Sequence, residues 1–288
     1  MTLRRSALPL ALPAVAWLLA FWACPLLLVF SMSLREMDPV TFVVEGFTLG
    51  HFKEVLTDQF HIESVLRSLR LAALTTLLSG LIGYPVALHL SRTKSERARA
   101  VFTMLLLIPI MVSLVVTAFA WILILGPNGF LNQIILALGL SAEPLKVLNS
   151  ESGVLIVLTY SFGPYMVINI ATALDRIDPA VVRAAEVHGA SAWQKFLHVT
   201  LPLSFPGILS GGLIVFSLSA AAFVTPYIIG GNRVKVVPLQ IYNAAVTSFD
   251  WPIAATLSVV LFVLAMVLAT VVARLAERRF AGWLRSAP

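Results

Sequence analysis

The sequence predicts an all-α polytopic membrane protein: six transmembrane helices, with a two-helix segment held in water between the fourth and the fifth. Three observations carry that prediction. The 288-residue chain is 59% hydrophobic and only 12% charged, with a mean hydropathy of +0.93, which lies outside the range of soluble domains. Six apolar stretches reach the about 20 residues that a helix needs to cross a hydrocarbon core about 30 Å thick. The twenty Lys and Arg residues are spread unevenly over the links between those stretches.

The spans lie at about 8–34, 71–90, 101–125, 153–174, 206–230 and 252–272, so residues 1–288 form a single transmembrane domain without room for a soluble one. The first holds the lone Cys24 in "FWAC" and continues through "PLLLVF" with no cleavage-like break, so it reads as a retained helix. After it, residues 35–70 contain "FVVEGFTLGHF", whose pattern fits a short strand or an interfacial helix equally well. His51 and His61 in that loop read as solvated. The link "SRTKSERARA" at 91–100 is a polar turn whose basic side chains can snorkel. Further loops fall at 126–152 and 231–251, and the long link at 175–205 holds the water-borne segment.

Placing the N-terminus inside puts thirteen of the twenty basic residues on the cytoplasmic side, among them Arg4, Arg5, Arg92, Lys94, Arg176 and Arg274. The other seven, including Arg67, Arg70, Lys146 and Arg233, lie outside. This bias has the direction of the positive-inside rule, so both termini are expected in the cytoplasm. The net charge of +6 is thus topological and does not call for nucleic acid.

Prolines interrupt most spans: Pro25, Pro85 in "GYP", Pro109, Pro164 after Gly163, and Pro226. Such breaks are tolerated where neighbouring helices or a watery cavity satisfy the freed backbone groups. Each alone fits a kink in a packed helix, whereas several at similar depth favour a cavity. No Asp, Glu, Lys or Arg lies within the apolar core of any span, and His89 sits only at the end of the second. Proton relays are built from such residues, so none is expected here. A phosphate loop, a metal-ligand cluster and a nucleophile–base pair are also lacking. Energy for uphill transport would have to enter from another subunit.

Residues 178–202 are built to project. Asp178 before Pro179 is a helix start, Gly189 suits a left-handed C-terminal cap, and Ser191 with Gln194 has the spacing of a capping box. The second helix carries Trp193, Phe196 and Leu197 and is expected to stop at Leu201 and Pro202. An amphipathic helix lying on the membrane is the alternative, but that would favour one longer helix with a lysine-rich face.

At these residues the sequence resembles the EAA motif of permease subunits of bacterial ABC importers: Glu-Ala-Ala, three residues, Gly, nine residues, an aliphatic residue, one residue, Leu-Pro. Ala184, Ala185, Gly189, Val199, Leu201 and Pro202 fall in register, and Arg183 stands where the family has glutamate, with Glu186 one turn later. The stretches "DRIDPAVVRAAEVHGASAWQKFLHVTLPLSFPGILSGGLIVFSLSAAAFVTPYIIGG" and "DWPIAATLSVV" are most similar to the spermidine/putrescine-type branch.

That resemblance implies a type I ABC importer permease fold in the bacterial inner membrane, with no catalysis on this chain. It implies a second, related permease, an extracytoplasmic binding protein that delivers a polyamine or similar small organic solute, and cytoplasmic ATPase subunits. No cofactor is expected here, and ATP and Mg would bind those ATPases. The coupling residues would be Arg183, Ala184, Ala185, Glu186, Gly189, Trp193, Phe196, Leu201 and Pro202. The solute path would include Ser217, Thr225 and Tyr227 on the fifth span, with Tyr165 and Asn169 on the fourth supplying an aromatic face and an amide. A carrier or channel working alone is the alternative, and the ion-free spans count against it.

Overall fold

The computed structural model describes residues 3–38, 41 and 43–285. Among these, six helices are long and apolar enough to cross a membrane. The chain resolves into two units, one of residues 1–63 with 237–263 and one of residues 64–236 with 264–288.

In the first unit, α1 (Leu3–Met32) leads into a two-stranded antiparallel hairpin, β1 (Glu36–Met37) with β2 (Val44–Glu45), and then α2 (Gly50–Thr57). The "FVVEGFTLGHF" stretch is therefore both strand and helix. No residue of Val15–Met32 is buried, as befits a helix apolar on every side whose partner is lipid or another chain. Thr256 donates to the Ser33 carbonyl at 3.2 Å and the Pro252 carbonyl at 2.8 Å, with Val55 and Leu257 fully buried in the same unit. His61 is not simply solvated: its Nδ1 lies 2.7 Å from Oε1 of Gln240, which belongs to α11 (Val237–Tyr242). His51 is half-buried, with its Nε2 shielded from solvent.

The second unit holds most of the spans. Helix α3 (Gln59–Arg92) begins well before the expected start near 71, and the added turns carry Arg67 and Arg70. Both pair with Glu151 at the first turn of α7 (Glu151–Asp175), the Arg67 Nε–Oε1 distance being 2.9 Å. Near the far end of α7, Asp175 pairs with Arg99.

The third span departs from a single helix over 101–125. It divides into α4 (Glu96–Met111) and α5 (Leu114–Leu125), with Val112 and Ser113 extended at ψ 138° and 135°. Pro109 has no N–H for the Leu105 carbonyl, so the helix has already lost a ladder bond before it stops. The expected 126–152 loop contains α6 (Phe130–Ala137), and the apolar stretch long enough to cross runs over Leu114–Ala137, past the expected end at 125.

The fifth span also differs. Instead of one helix over 206–230, α10 (Leu201–Ala220) ends before Ala221, and a π-helical turn over Pro226–Gly230 follows the break. α10 packs on α7 through Gly207, where Asn169 and Ala173 leave no room for a Cβ, and Gly211, where one would fit only tightly against Met166 and Asn169. Small residues permit such contact in a bilayer, where no hydrophobic force drives helices together. The final helix, α12 (Trp251–Arg285), runs beyond the expected 272.

Candidate functional site

Local chemistry builds the 178–202 segment in sequence order. The Asp178 carboxylate accepts from the Ala180 N–H at 2.7 Å and starts α8 (Pro179–Val187). Gly189, at φ +78°, closes that helix: its N–H donates to the Glu186 carbonyl at 2.9 Å while the Ala190 N–H reaches the Ala185 carbonyl at 3.1 Å. This paired bonding is the Schellman end that a left-handed glycine makes possible. The Ser191 N–H then donates to Gln194 Oε1 at 2.8 Å, and Ser191 Oγ accepts from the Gln194 N–H at 3.3 Å, opening α9 (Ala192–Lys195).

The second helix does not stop at Leu201 and Pro202. A π-helical turn over Phe196–Thr200, closed by the Leu201 N–H on the Phe196 carbonyl, carries it directly into α10, so that Ala192–Ala220 is continuous. The widened turn ends one hydrogen-bond ladder and begins another, and Pro202 falls in the first turn of the new one, where its missing N–H is not needed.

Across the Gly189 bend, Lys195 Nζ lies 2.5 Å from Glu186 Oε1. The hydrogen bond from Lys195, then its charge, holds the Glu186 carboxyl below the usual carboxylate range, and the Arg183 charge adds to the effect. Glu186 therefore braces the two helices against each other. Because its folded value is depressed, the brace is complete at neutral pH and is lost only as pH falls through that lowered value. The distance between spin labels on α8 and α9 should accordingly be unchanged from pH 8 to pH 6, and Glu186→Gln should broaden or lengthen it at both. A distance that changes between pH 8 and pH 6, or one that Glu186→Gln leaves untouched, would show the pair to be ornamental.

Exposed apolar surface crowns the segment: Val187 is 87% and Trp193 66% exposed. Behind it an aromatic ladder runs inward. Trp193 stacks on Phe196 with centroids 5.4 Å apart, and Phe196 meets the edge of Tyr84 on α3 at 5.6 Å. The Tyr84 hydroxyl lies 2.8 Å from Ser204 Oγ on α10. Tyr84 was not singled out from the sequence, although its place in the "GYP" break was a signal. Tyr84, Arg92, Glu186, Trp193, Lys195 and Phe196 line one cleft of about 540 Å³. Ala184 is exposed, Ala185 half-buried, and Leu201 and Pro202 are half-buried where the segment enters α10.

The expected path residues are more scattered. Asn169 donates to the Tyr165 carbonyl at 2.8 Å and accepts from Ser210 at 3.2 Å, so α7 and α10 already engage its amide. Ser217 bonds the Leu213 carbonyl of its own helix at 2.8 Å, and Thr225 is buried. Tyr227 is half-exposed beyond the break in the fifth span, its ring stacked on Phe223 at 5.4 Å. Tyr165 is half-buried on α7.

Against this geometry, the profile of the family described as "Binding-protein-dependent transport system inner membrane component" matches residues 79–282, which include the whole 178–202 segment. The spermidine/putrescine transport system permease protein PotB of Salmonella typhimurium (strain SL1344) is 30% identical over 86% of this chain and 85% of its own length. PotB of Escherichia coli (strain K12) is 30% identical over 86% of this chain and 89% of its own. A chain of the bacterial ABC transporter that imports the acidic polysaccharide alginate superposes with a TM-score of 0.78 at 20% identity, covering 96% of both chains. The latter is a likeness of fold. A family profile matching residues 79–282, with relatives 30% identical over 86% of the chain, leads to one conclusion: this chain belongs to the inner membrane components of binding-protein-dependent transport systems, as a non-catalytic permease subunit.

Proposed function

We propose that this permease forms, with a second and related permease subunit, the pathway of an ATP-driven importer for a polyamine or similar small organic cation. In this reading an extracytoplasmic binding protein delivers the solute, and cytoplasmic ATPases, which carry ATP and Mg, dock on residues 178–202. The observation that supports docking most directly is the braced two-helix segment. It presents Trp193 and Val187 to solvent, and exposed aromatic and aliphatic anchors of this kind concentrate binding energy once a partner desolvates them. Arg183, Ala184, Ala185 and Glu186 form the approach face on α8, while Phe196, Leu201 and Pro202 pass the load into α10. The cationic solute follows from likeness to the PotB permeases.

Gly189→Val tests the docking role. A β-branched residue at φ +78° costs on the order of 1 kcal/mol or more. A Cβ there meets no atom within 4 Å, so any effect comes from the backbone turn and not from a clash. The expected outcome is normal insertion with loss of the co-purified ATPase and of uptake. A variant that retains its ATPase and transports at the wild-type rate would refute the assignment.

Both termini lie in the cytoplasm in this reading, on the strength of the basic-residue bias. Single cysteines placed at Ser141 and Ser191 should label from outside and from the cytoplasm respectively. The reverse pattern would invert the topology and remove the segment from the ATPase altogether.

A further inference from the structure

An apolar groove of about 690 Å³ runs between α3, α10 and α12 in the second unit. Its wall on α3 repeats at helical spacing through Ala73, Leu77, Gly80 and Tyr84, and on α10 it extends from Leu201 to Phe216. Two of its residues carry hydroxyls, and both are engaged elsewhere: Thr76 bonds the Ala72 carbonyl at 2.8 Å, and the Tyr84 oxygen lies 2.8 Å from Ser204 Oγ. The groove therefore asks for hydrocarbon and for nothing polar. Ala73 and Tyr84 stand about 16 Å apart along the helix axis, which matches one leaflet of a hydrocarbon core about 30 Å thick. Spread over that length, the groove has a cross-section of about 40 Å², roughly half that of a helix about 10 Å across. It is too slim to seat a helix of another chain and suits extended acyl chains.

At the Tyr84 end the groove changes character. Tyr84, Pro85 and Phe196 belong also to the cleft of about 540 Å³ at the 178–202 segment, whose wall carries Arg92, Lys195 and Glu186. Arg92, the last residue of α3, is exposed and forms no ion pair among the described residues. The Lys195 ammonium has three donors and gives one to Glu186. Two cations against one carboxylate leave this end positive.

We propose that groove and cleft together hold one anionic glycerophospholipid, with its acyl chains along α3 and α10 and its phosphate between Arg92 and Lys195. Hydrocarbon covers a wall that has no unmet polar group, and the phosphate supplies the counter-charge that Arg92 does not find within the chain. Basic recesses between spanning helices on the cytoplasmic side recognise anionic head groups in this way. A phosphatidylcholine brings its own cation to the same place and gains less. The lipid takes its leaflet, the cytoplasmic one, from the orientation proposed above, and takes nothing else from that reading. Bound there, it bridges α3 to the segment that α10 continues.

The test uses the permease purified with the subunits that accompany it, delipidated in detergent and titrated with phosphatidylglycerol or with phosphatidylcholine of the same acyl chains. Native mass spectrometry counts the lipid retained. The wild type should hold one phosphatidylglycerol per copy of this chain at a concentration on the order of tenfold below that needed for phosphatidylcholine. Arg92→Gln should erase most of that preference, whereas Lys94→Gln, which removes a nearby exposed cation that lines neither recess, should keep it. Gly80→Leu fills the groove, where a Cβ meets only Met166 Cε at 3.8 Å, and should lower retention of both lipids. Glycerol 3-phosphate, which has the anion without the chains, should not compete; competition by it would reduce the site to an anion site and overturn the lipid. Equal retention of the two lipids by the wild type, or equal losses in Arg92→Gln and Lys94→Gln, also overturns it. So does loss of the second permease from Gly80→Leu with lipid retention unchanged, which would make the groove a subunit interface. Arg92→Gln alters only an exposed helix end, so its result does not depend on how Gly80→Leu folds. Cysteine labelling that inverted the topology would move the site to the outer leaflet and leave the binding result standing, so the two readings fail separately.

Discussion

Gly207→Val should abolish the folded permease, leaving material that aggregates in detergent and does not assemble. A Cβ at this position would lie 2.5 Å from the Ala173 Cβ, 2.6 Å from the Asn169 carbonyl oxygen and 3.1 Å from the Ile170 Cα. Two of those three atoms are backbone of α7, so no rotamer change relieves the contact. Overpacking of this kind costs about 3 kcal/mol or more. The loss is worse in a bilayer, because lipid is as apolar as the helix surface and close packing is what holds α7 to α10. Function fails with the fold, since α10 continues without interruption from the 178–202 segment and the α7 seam transmits its position to the rest of the second unit. Gly212→Ala on the same helix should be tolerated, its Cβ meeting nothing nearer than Thr76 Cγ2 at 3.5 Å. Thermal unfolding followed by size exclusion separates the two variants. A Gly207→Val protein with the wild-type midpoint would mean that the seam opens at little cost.

What the sequence disclosed was what local rules govern. Asp178 with Pro179, Gly189, and Ser191 with Gln194 each act within one turn of the chain, and all three form as their spacing implies. The six apolar stretches were legible because the bilayer imposes a length. Pro202 misled for the same reason that the others succeeded. A proline ends a regular ladder, but the π-helical turn at Phe196–Thr200 changes the ladder before the proline is reached, and nothing local announces that turn. The early start of α3 was hidden by Arg67 and Arg70, whose charges read as loop until Glu151 on another helix accounts for them. The His61–Gln240 contact joins residues far apart in sequence, beyond the reach of periodicity. The place of Tyr84 comes from Ser204 on α10, which only the fold brings beside α3.

Asn132→Leu should release the 126–149 loop and stop delivery of solute while leaving the ATPase bound. Asn132 is fully buried, the one such amide on the otherwise apolar face of α6. Its Nδ2 donates to the Gly126 carbonyl at 2.9 Å and the Leu145 carbonyl at 3.1 Å, and its Oδ1 accepts from the Leu145 N–H at 2.7 Å. One side chain thus ties both ends of the loop to the helix between them. Leucine preserves bulk but strands the Leu145 N–H and carbonyl, at about 1–3 kcal/mol for each that stays buried, while the Gly126 carbonyl keeps the Gly129 N–H at 2.9 Å. The loop answers by opening to water. Leu145 lines a cleft of about 640 Å³ with Lys146, Asn149, Asn232 and Arg233, so opening it displaces charged and amide groups together. In the orientation proposed above, that cleft faces the binding protein, whereas residues 178–202 lie at the opposite membrane surface. Stimulation of ATP hydrolysis by the binding protein should therefore fall to near the basal rate, with ATPase co-purification intact and proteolytic cleavage between residues 126 and 149 accelerated. Faster cleavage with full stimulation would show that the loop is held by Asn132 but takes no part in delivery. Unchanged cleavage would show that the three hydrogen bonds do not hold it.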